Sequence, residues 1–299
     1  MTRRSLLCTG AAASLAAQRK VRLGGPVFLK SDDPRELARE HRRLGYTAAY
    51  CPPADLKDEA RTKAIQEAFA AENVTIAEVG AWKNMLDPDP VQRKQNLEYV
   101  TARLALAEAV GARCCVDIAG SYHPTVWYGP HKLNLSPAFF DATVENVRKV
   151  LDAVKPARTT FSVEMMGWSI PNSADSYLKL IKAVDRKQFS AHVDVCNIIN
   201  SPERMYRNAE LIADTFRKLG RWVSSCHAKD LAWVPEMNVH FVEVIPGRGD
   251  LDYTAYLRNL AAIPVDAPLM LEHLKTAADY REGADHIRKT ASACGVALA

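Results

Sequence analysis

The sequence has no long apolar run. No stretch of its 299 residues reaches the roughly 20 residues that span a bilayer, so it offers no candidate membrane span. It also lacks a large charge excess. Thirty-nine Lys and Arg stand against 35 Asp and Glu, and without Arg3 and Arg4 the count is 37 against 35, or +2. That is too little for a polyanion-binding surface and argues against a nucleic-acid partner. The seven cysteines show no CxxC pair and no small-domain spacing, which argues against a disulfide framework. Cys114 and Cys115 are adjacent on one expected strand and cannot easily pair with each other. No Gly-rich phosphate turn follows the first expected strand, as a doubly wound dinucleotide sheet would require. There is no low-complexity tract and no interior linker. With 48% hydrophobic residues, the chain can bury one large core.

The N-terminus carries a targeting pattern. Thr2-Arg3-Arg4-Ser5-Leu6-Leu7 precedes a short run of small and apolar residues, Cys8 to Ala17. A twin arginine before such a run resembles a twin-arginine export signal. Residues 1–18 are therefore read as a removable segment and 19–299 as the domain, with a periplasmic location expected. The alternative is a cytoplasmic chain with a chance Arg-Arg pair. Lipid attachment at Cys8 is disfavoured, because almost no apolar run precedes it.

From residue 20 onward, strand and helix patterns alternate. Strands are expected at 20–28, 47–52, 74–82, 113–119, 159–165, 190–196, 222–228 and 268–273. Asp33-Pro34, Asp89-Pro90, Ser136-Pro137 and Ser201-Pro202 each supply an N-cap followed by Pro at the first helical position. Phe140, Val144, Val147, Val150, Leu151 and Val154 form one apolar stripe at helical period. Eight strands alternating with helices predict a single-domain α/β protein, a closed (β/α)8 TIM barrel. The longest irregular stretches, Ala119–Asn134 and Ala228–Asp250, both follow strands and read as lids over the active face.

Four of these strands end in a metal-ligating side chain. Glu164, Asp194, His227 and Glu272 stand 30, 33 and 45 residues apart, about one strand-helix unit each. A parallel barrel gathers the C-terminal ends of its strands on one face, where such enzymes place their chemistry. Strand alternation gives all four the same parity. Ser162 shares a face with Glu164, His192 with Asp194, Ser225 with His227 and Met270 with Glu272, while the apolar neighbours take the other face. A lone acid at a strand end is often only a helix N-cap; four in succession with matched parity predict one divalent cation in a hard, oxygen-rich site. Cys196 and Cys226 lie within expected strands and read as buried structural thiols, Cys226 on the parity opposite His227.

Softer candidates surround this set. Trp82 and Asn84 follow the third strand, and Trp127 lies in the loop after the fourth. Aromatic walls beside polar groups suit a sugar, although ordinary rim packing is the commoner reason for such tryptophans. Glu78 shares the parity of Trp82 and faces the lumen without an assigned role. Lys229 shares the inward parity of His227 and could meet a carbonyl or phosphate oxygen. Asp230 could support a ligand from behind, and either of these two could equally be a solvated loop charge. Arg248, in Pro-Gly-Arg-Gly, could reach a hydroxylated or anionic substrate, though such turns are more often structural. His273 falls on the outward parity and reads as structural or rim.

Val163-Glu164, Val193-Asp194-Val195-Cys196-Asn197, Cys226-His227-Ala228-Lys229-Asp230, Pro246-Gly247-Arg248-Gly249-Asp250-Leu251-Asp252-Tyr253 and Leu271-Glu272-His273-Leu274 carry a resemblance to the xylose isomerase-like barrels. These include sugar isomerases, ketose 3-epimerases and apurinic endonucleases. The likeness covers roughly residues 20–295. It implies that Glu164, Asp194, His227 and Glu272 hold one divalent metal, manganese first, with cobalt, magnesium and zinc as alternatives. It also implies that Glu164 and Glu272 act as acid and base on opposite sides of a ketose. Sugar epimerases of this type often carry His where Asn197 stands, and Asn cannot titrate near neutrality. His192 could restore an imidazole one layer deeper, or be a hydrogen-bonded core residue. The endonuclease branch resembles a three-metal site with further His ligands after the second and third strands, where this chain has Tyr50-Cys51-Pro52 and Glu78-Val79-Gly80-Ala81-Trp82.

The expected function is a metal-dependent sugar isomerase or epimerase, abstracting a proton beside a carbonyl through an enediolate. Its expected partner is a small sugar or glycoside. A lyase using the same abstraction for β-elimination from a keto-glycoside is the alternative. A non-catalytic sugar-binding barrel is the alternative of another class. The sequence leaves the oligomeric state open, a homo-oligomer included.

Overall fold

The structure, a computed structural model, describes residues 19–299. The export segment expected at 1–18 lies outside the described residues. Eight parallel strands close into a barrel: β1 (Leu23–Gly24), β2 (Ala48–Tyr50), β3 (Thr75–Gly80), β4 (Cys114–Asp117), β5 (Thr160–Glu164), β6 (Phe189–Val193), β7 (Val223–Ala228) and β10 (Leu269–Leu271). β10 pairs with both β7 and β1, which closes the ring. Strand order follows chain order, as short right-handed strand-helix-strand connections demand.

The helices start where the sequence places their caps. Asp33, Asp89, Ser136 and Ser201 each accept a backbone N–H at the start of α1 (Pro34–Arg43), α3 (Pro90–Val110), α4 (Pro137–Val154) and α7 (Pro202–Tyr206), with Pro in the first turn. α2 (Glu59–Ala71), α5 (Ala174–Val184), α8 (Asn208–Leu219), α9 (Tyr253–Ala262) and α10 (Ala277–Cys294) complete the outer layer. On α4 the buried stripe holds Val144, Val147, Val150 and Leu151, but Phe139 rather than Phe140 is its fully buried aromatic. Among the described residues no helix is long and apolar enough to cross a membrane.

Alternation sorts the strand residues as their parity requires. Phe161, Val163, Ala191, Val193, Cys226, Leu269 and Leu271 join the main apolar core. The register sets Glu164 beside His192, His192 beside Ser225, and Met270 beside His227.

Three expectations need correction. The first strand is two residues long, joined by an isolated bridge from Val21 to Leu298. The sixth ends at Val193, and Val195–Ile198 turns into a short helix, α6, so Cys196 is helical. The stretch 228–250 is not irregular: β8 (Asp230–Val234) and β9 (His240–Val244) form an antiparallel hairpin. Its alternation is weak because its outer face is exposed and mixed, so the sequence shows no clear strand period there.

Candidate metal centre

Each of the four strand-end residues is positioned by its own element. Glu164 is the last residue of β5. Asp194 follows β6 and caps α6, its Oδ1 accepting from Asn197 N at 3.0 Å. The cap uses one carboxylate oxygen and leaves Oδ2 for the barrel mouth, so cap and ligand are compatible roles. His227 sits on β7 and Glu272 directly follows β10. Tyrosines lock these strand ends from outside. The Tyr177 hydroxyl, from α5, accepts from His192 N at 3.1 Å and donates to the Val163 carbonyl. From α9, Tyr256 Oη donates to His227 O at 2.9 Å and Tyr253 Oη to Lys229 O at 2.8 Å.

The four side chains converge on one point. His227 Nδ1 lies 2.8 Å from Glu164 Oε1, 2.8 Å from Glu272 Oε1 and 3.5 Å from Asp194 Oδ2. Lys229, almost fully buried, brings its ammonium 2.7 Å from Glu272 Oε1, 3.0 Å from Asp194 Oδ2 and 3.1 Å from Asn197 Oδ1. Asp194 Oδ2 and Glu272 Oε1 are buried yet lack a well-directed hydrogen bond; the nearby nitrogens approach at ion-pair distance but off the hydrogen-bond line. Such oxygens are costly to bury and are the atoms a cation would satisfy. The donor set, three carboxylates and one imidazole with ligand atoms all within 4.8 Å of one another, fits a single divalent ion.

The electrostatics are those of a tightly packed charge cluster. Burial raises the Glu164 carboxyl above the usual range, and His227 offsets this only in part. Burial also opposes ionisation of Asp194, but Lys229 and His227 outweigh it and hold the carboxyl low. Glu272 follows the same pattern, with His227 as the larger counter-charge. Burial would lower His227, but Glu272, Glu78 and Glu164 drive it well upward.

The softer candidates divide. Trp82 comes to the centre, its ring 6.5 Å from that of His227. Gly80 makes this possible, since a Cβ there would meet the Trp82 indole nitrogen at 2.3 Å. Asn197 also comes close: its Nδ2 donates to Glu164 Oε1 at 3.3 Å and to Met165 O at 3.1 Å. Trp127 is exposed on the same end of the barrel, as are Tyr128 and Trp168, whose Nε1 donates to the Tyr128 carbonyl.

Four others are placed differently. Asn84 is buried and braces loops, accepting from Leu86 N and Ser121 N and donating to Ser121 O. His192 lies deeper in the lumen, its Nε2 2.9 Å from Glu78 Oε1. Arg248 turns away and pairs with Glu282 at 2.6 and 2.8 Å on the exposed surface. Asp230 reaches no ligand; it accepts from the amides of Leu231, Gly247, Gly249 and Leu251 at 2.8–3.1 Å. The Pro-Gly-Arg-Gly turn is thus held by a buried carboxylate, and a Cβ at Gly249 would meet Asp230 Oδ1 at 2.3 Å.

Two acids gain partners that the sequence does not reveal. Glu78 lies in the lumen against His192 and His227. Glu243, on the β8–β9 hairpin, stands 2.9 Å from His273 Nδ1 and 3.6 Å from Lys229 Nζ. For Glu78, the lumen parity was the available signal. Glu243 carries none, because its hairpin folds back from 16 residues beyond His227.

Among curated proteins none matches the sequence significantly. Among solved structures, the chain is similar to 3-keto-D-glucoside 4-epimerase from E. coli, with TM-score 0.67 and 16% identity over 90% of this chain and 100% of that one. It is similar to a xylose isomerase-like TIM barrel protein from Mycobacterium smegmatis in complex with magnesium, with TM-score 0.62 and 16% identity over 87% and 88%. It is likewise similar to endonuclease IV from Thermus thermophilus, with TM-score 0.66 and 13% identity over 91% and 99%. At these identities the likeness concerns the fold. The family model described as xylose isomerase-like TIM barrel matches residues 38–290. With the closed parallel barrel and this match over most of its length, the chain belongs to the xylose isomerase-like TIM barrel family.

Proposed function

We propose that this protein is a divalent-metal-dependent carbohydrate isomerase or epimerase in which Glu164 and Glu272 exchange a proton beside a substrate carbonyl. One observation carries the reading. Two carboxylates from β5 and β10, strands separated by β6 and β7, both come within 2.8 Å of the same imidazole nitrogen. They therefore approach one point from different sides of the mouth, as acid and base flanking a substrate would.

A divalent cation held by Glu164, Asp194, His227 and Glu272 supplies positive charge that polarises a carbonyl and stabilises developing negative charge. The chain's own groups do the rest. Asn197, hydrogen-bonded to Glu164 and Lys229, fixes the rim side of the site. Lys229 adds a second positive charge where an oxyanion would develop. Trp82 walls the site above His227, and exposed Trp127 and Trp168 give further stacking surface for a sugar ring. One imidazole with three carboxylates supports a one-cation sugar site over a multi-metal phosphodiester site. The 3-keto-D-glucoside epimerase neighbour supports a keto-sugar or keto-glycoside as the substrate class.

The test is elemental metal analysis followed by a keto-sugar panel in deuterated solvent. Glu164→Gln and Glu272→Gln should each cut turnover by roughly 10²–10⁴-fold while metal is retained, and suppress exchange of the α-proton. Metal-replete variants turning over at the wild-type rate would leave the glutamates as ligands only. A product lacking a fragment would identify a lyase.

A further inference from the structure

Beneath the candidate centre lies a second cluster that the proposed reaction does not use: Glu78, His192 and Ser225, all buried in the lumen. Glu78 Oε1 accepts from His192 Nε2 at 2.9 Å and from the Ser225 hydroxyl. Its other oxygen, Oε2, lies 3.3 Å from His227 Nε2. His227 touches both groups and is the only described residue shared by the two sets of potential ligands, Glu78, His192 and His227 below and Glu164, Asp194, His227 and Glu272 above. It presents Nδ1 upward to the three carboxylates and Nε2 downward to Glu78.

We infer that Glu78 is a positioning residue that selects which nitrogen of His227 binds the metal. The inference rests on the proposed metal site. A neutral imidazole has one N–H and one lone pair, and the group facing one nitrogen decides the state of the other. A carboxylate can only accept, so Glu78 Oε2 requires the proton on Nε2. The lone pair is then on Nδ1, aimed at Glu164, Asp194 and Glu272. Glu78, His192 and His227 also bring ligand atoms within 4.8 Å of one another; the inference takes Glu78 as engaged by His192 and the Ser225 hydroxyl rather than by a second ion, and the ion count below decides between the two.

The isosteric amide makes a sharp test. In Glu78→Gln two donors, His192 Nε2–H and Ser225 Oγ–H, still converge on one oxygen position. The amide oxygen stays there, which turns the NH2 toward His227 Nε2. Two donors cannot face each other, so the imidazole must carry its proton on Nδ1 and withdraw the lone pair from the metal. Ser225→Ala removes a neighbour of the same carboxylate without changing what His227 meets.

Mn²⁺ titration by calorimetry should show one ion per wild-type chain, affinity lowered about 10–100-fold in E78Q, and near wild-type affinity in S225A. Equal losses in E78Q and S225A would indicate general loosening of the lumen and overturn the inference. In the wild-type protein loaded with diamagnetic Zn²⁺, ¹⁵N-labelled histidine spectra should place the His227 proton on Nε2. This readout needs no variant to fold, and a proton on Nδ1 would overturn the inference directly. Two ions per wild-type chain would also overturn it, by giving Glu78 to a second metal. A wild-type chain that takes up no Mn²⁺ sinks the functional reading and this inference together. Normal wild-type uptake with unchanged E78Q affinity sinks this inference alone.

Discussion

Lys229 holds a buried ammonium among acidic groups, 2.7 Å from Glu272 Oε1 and 3.0 Å from Asp194 Oδ2. Removing one partner of a buried ion pair leaves the other uncompensated, at a cost of about 3–5 kcal/mol. In chelated protein, Lys229→Met should therefore lower stability by that order, because Asp194 and Glu272 lose their nearest mobile cation. A bound divalent ion supplies the missing charge, so adding Mn²⁺ should restore more stability to K229M than to wild type. Denaturant melts with and without chelator check this. An unchanged stability in the chelated variant would show that Lys229 is not neutralising the acids. At this scale the sequence was partly legible. Glu164, Asp194, His227 and Glu272 announce themselves through parity and spacing. Asn84 and Arg248 do not announce their partners, since Ser121 lies 37 residues from Asn84 and Glu282 lies 34 from Arg248.

One buried side chain ties the β8–β9 hairpin to the turn that follows it. Asp230 accepts four backbone N–H groups, from Leu231, Gly247, Gly249 and Leu251. Asp230→Ala leaves those donors without their acceptor, and each buried orphan costs roughly 1–3 kcal/mol. The hairpin should loosen before the barrel does. Limited proteolysis should cut D230A within 235–247 at a protease dose that leaves wild type intact, with far-UV circular dichroism little changed. Equal resistance in the two proteins would mean that Asp230 does not anchor this element. The loosening should also free Glu243 from Lys229 and His273, which ties the hairpin to the chemistry. Helix starts were readable, because Ser or Asp followed by Pro is a local signal with a local cause. The hairpin was not, because its strands pair only with each other and most of their residues are half-buried or exposed, so no clear apolar face marks them.

The proposed ligands span residues 164 to 272 and come from β5, β6, β7 and β10, half of the barrel wall. An ion that binds only when these strand ends meet stabilises the folded chain alone. At one hundred times its dissociation constant this amounts to about 2.7 kcal/mol, a rise of roughly 5 °C in Tm for a domain of this size. Thermal melts with Mn²⁺ and with chelator should show that shift in wild type and not in His227→Ala. The same shift in H227A would place the ion elsewhere.

The sequence by itself determined the barrel, four of its helix N-caps and the four strand-end residues of the candidate centre. Each of these follows from a short-range regularity: period two in strands, period 3.6 in helices, and one strand-helix unit between successive ligands. Only the tertiary structure decided what those residues meet. It turned Arg248 outward to Glu282, set Asn84 to bracing loops and made Asp230 the anchor of a turn. It placed Tyr177, Tyr253 and Tyr256 behind the strand ends. It also brought Glu78 of β3 under His227 of β7, 149 residues away. The physical reason is barrel closure. The lumen joins strands that are not neighbours in sequence or in the sheet, and no local periodicity records which side chains will share that interior.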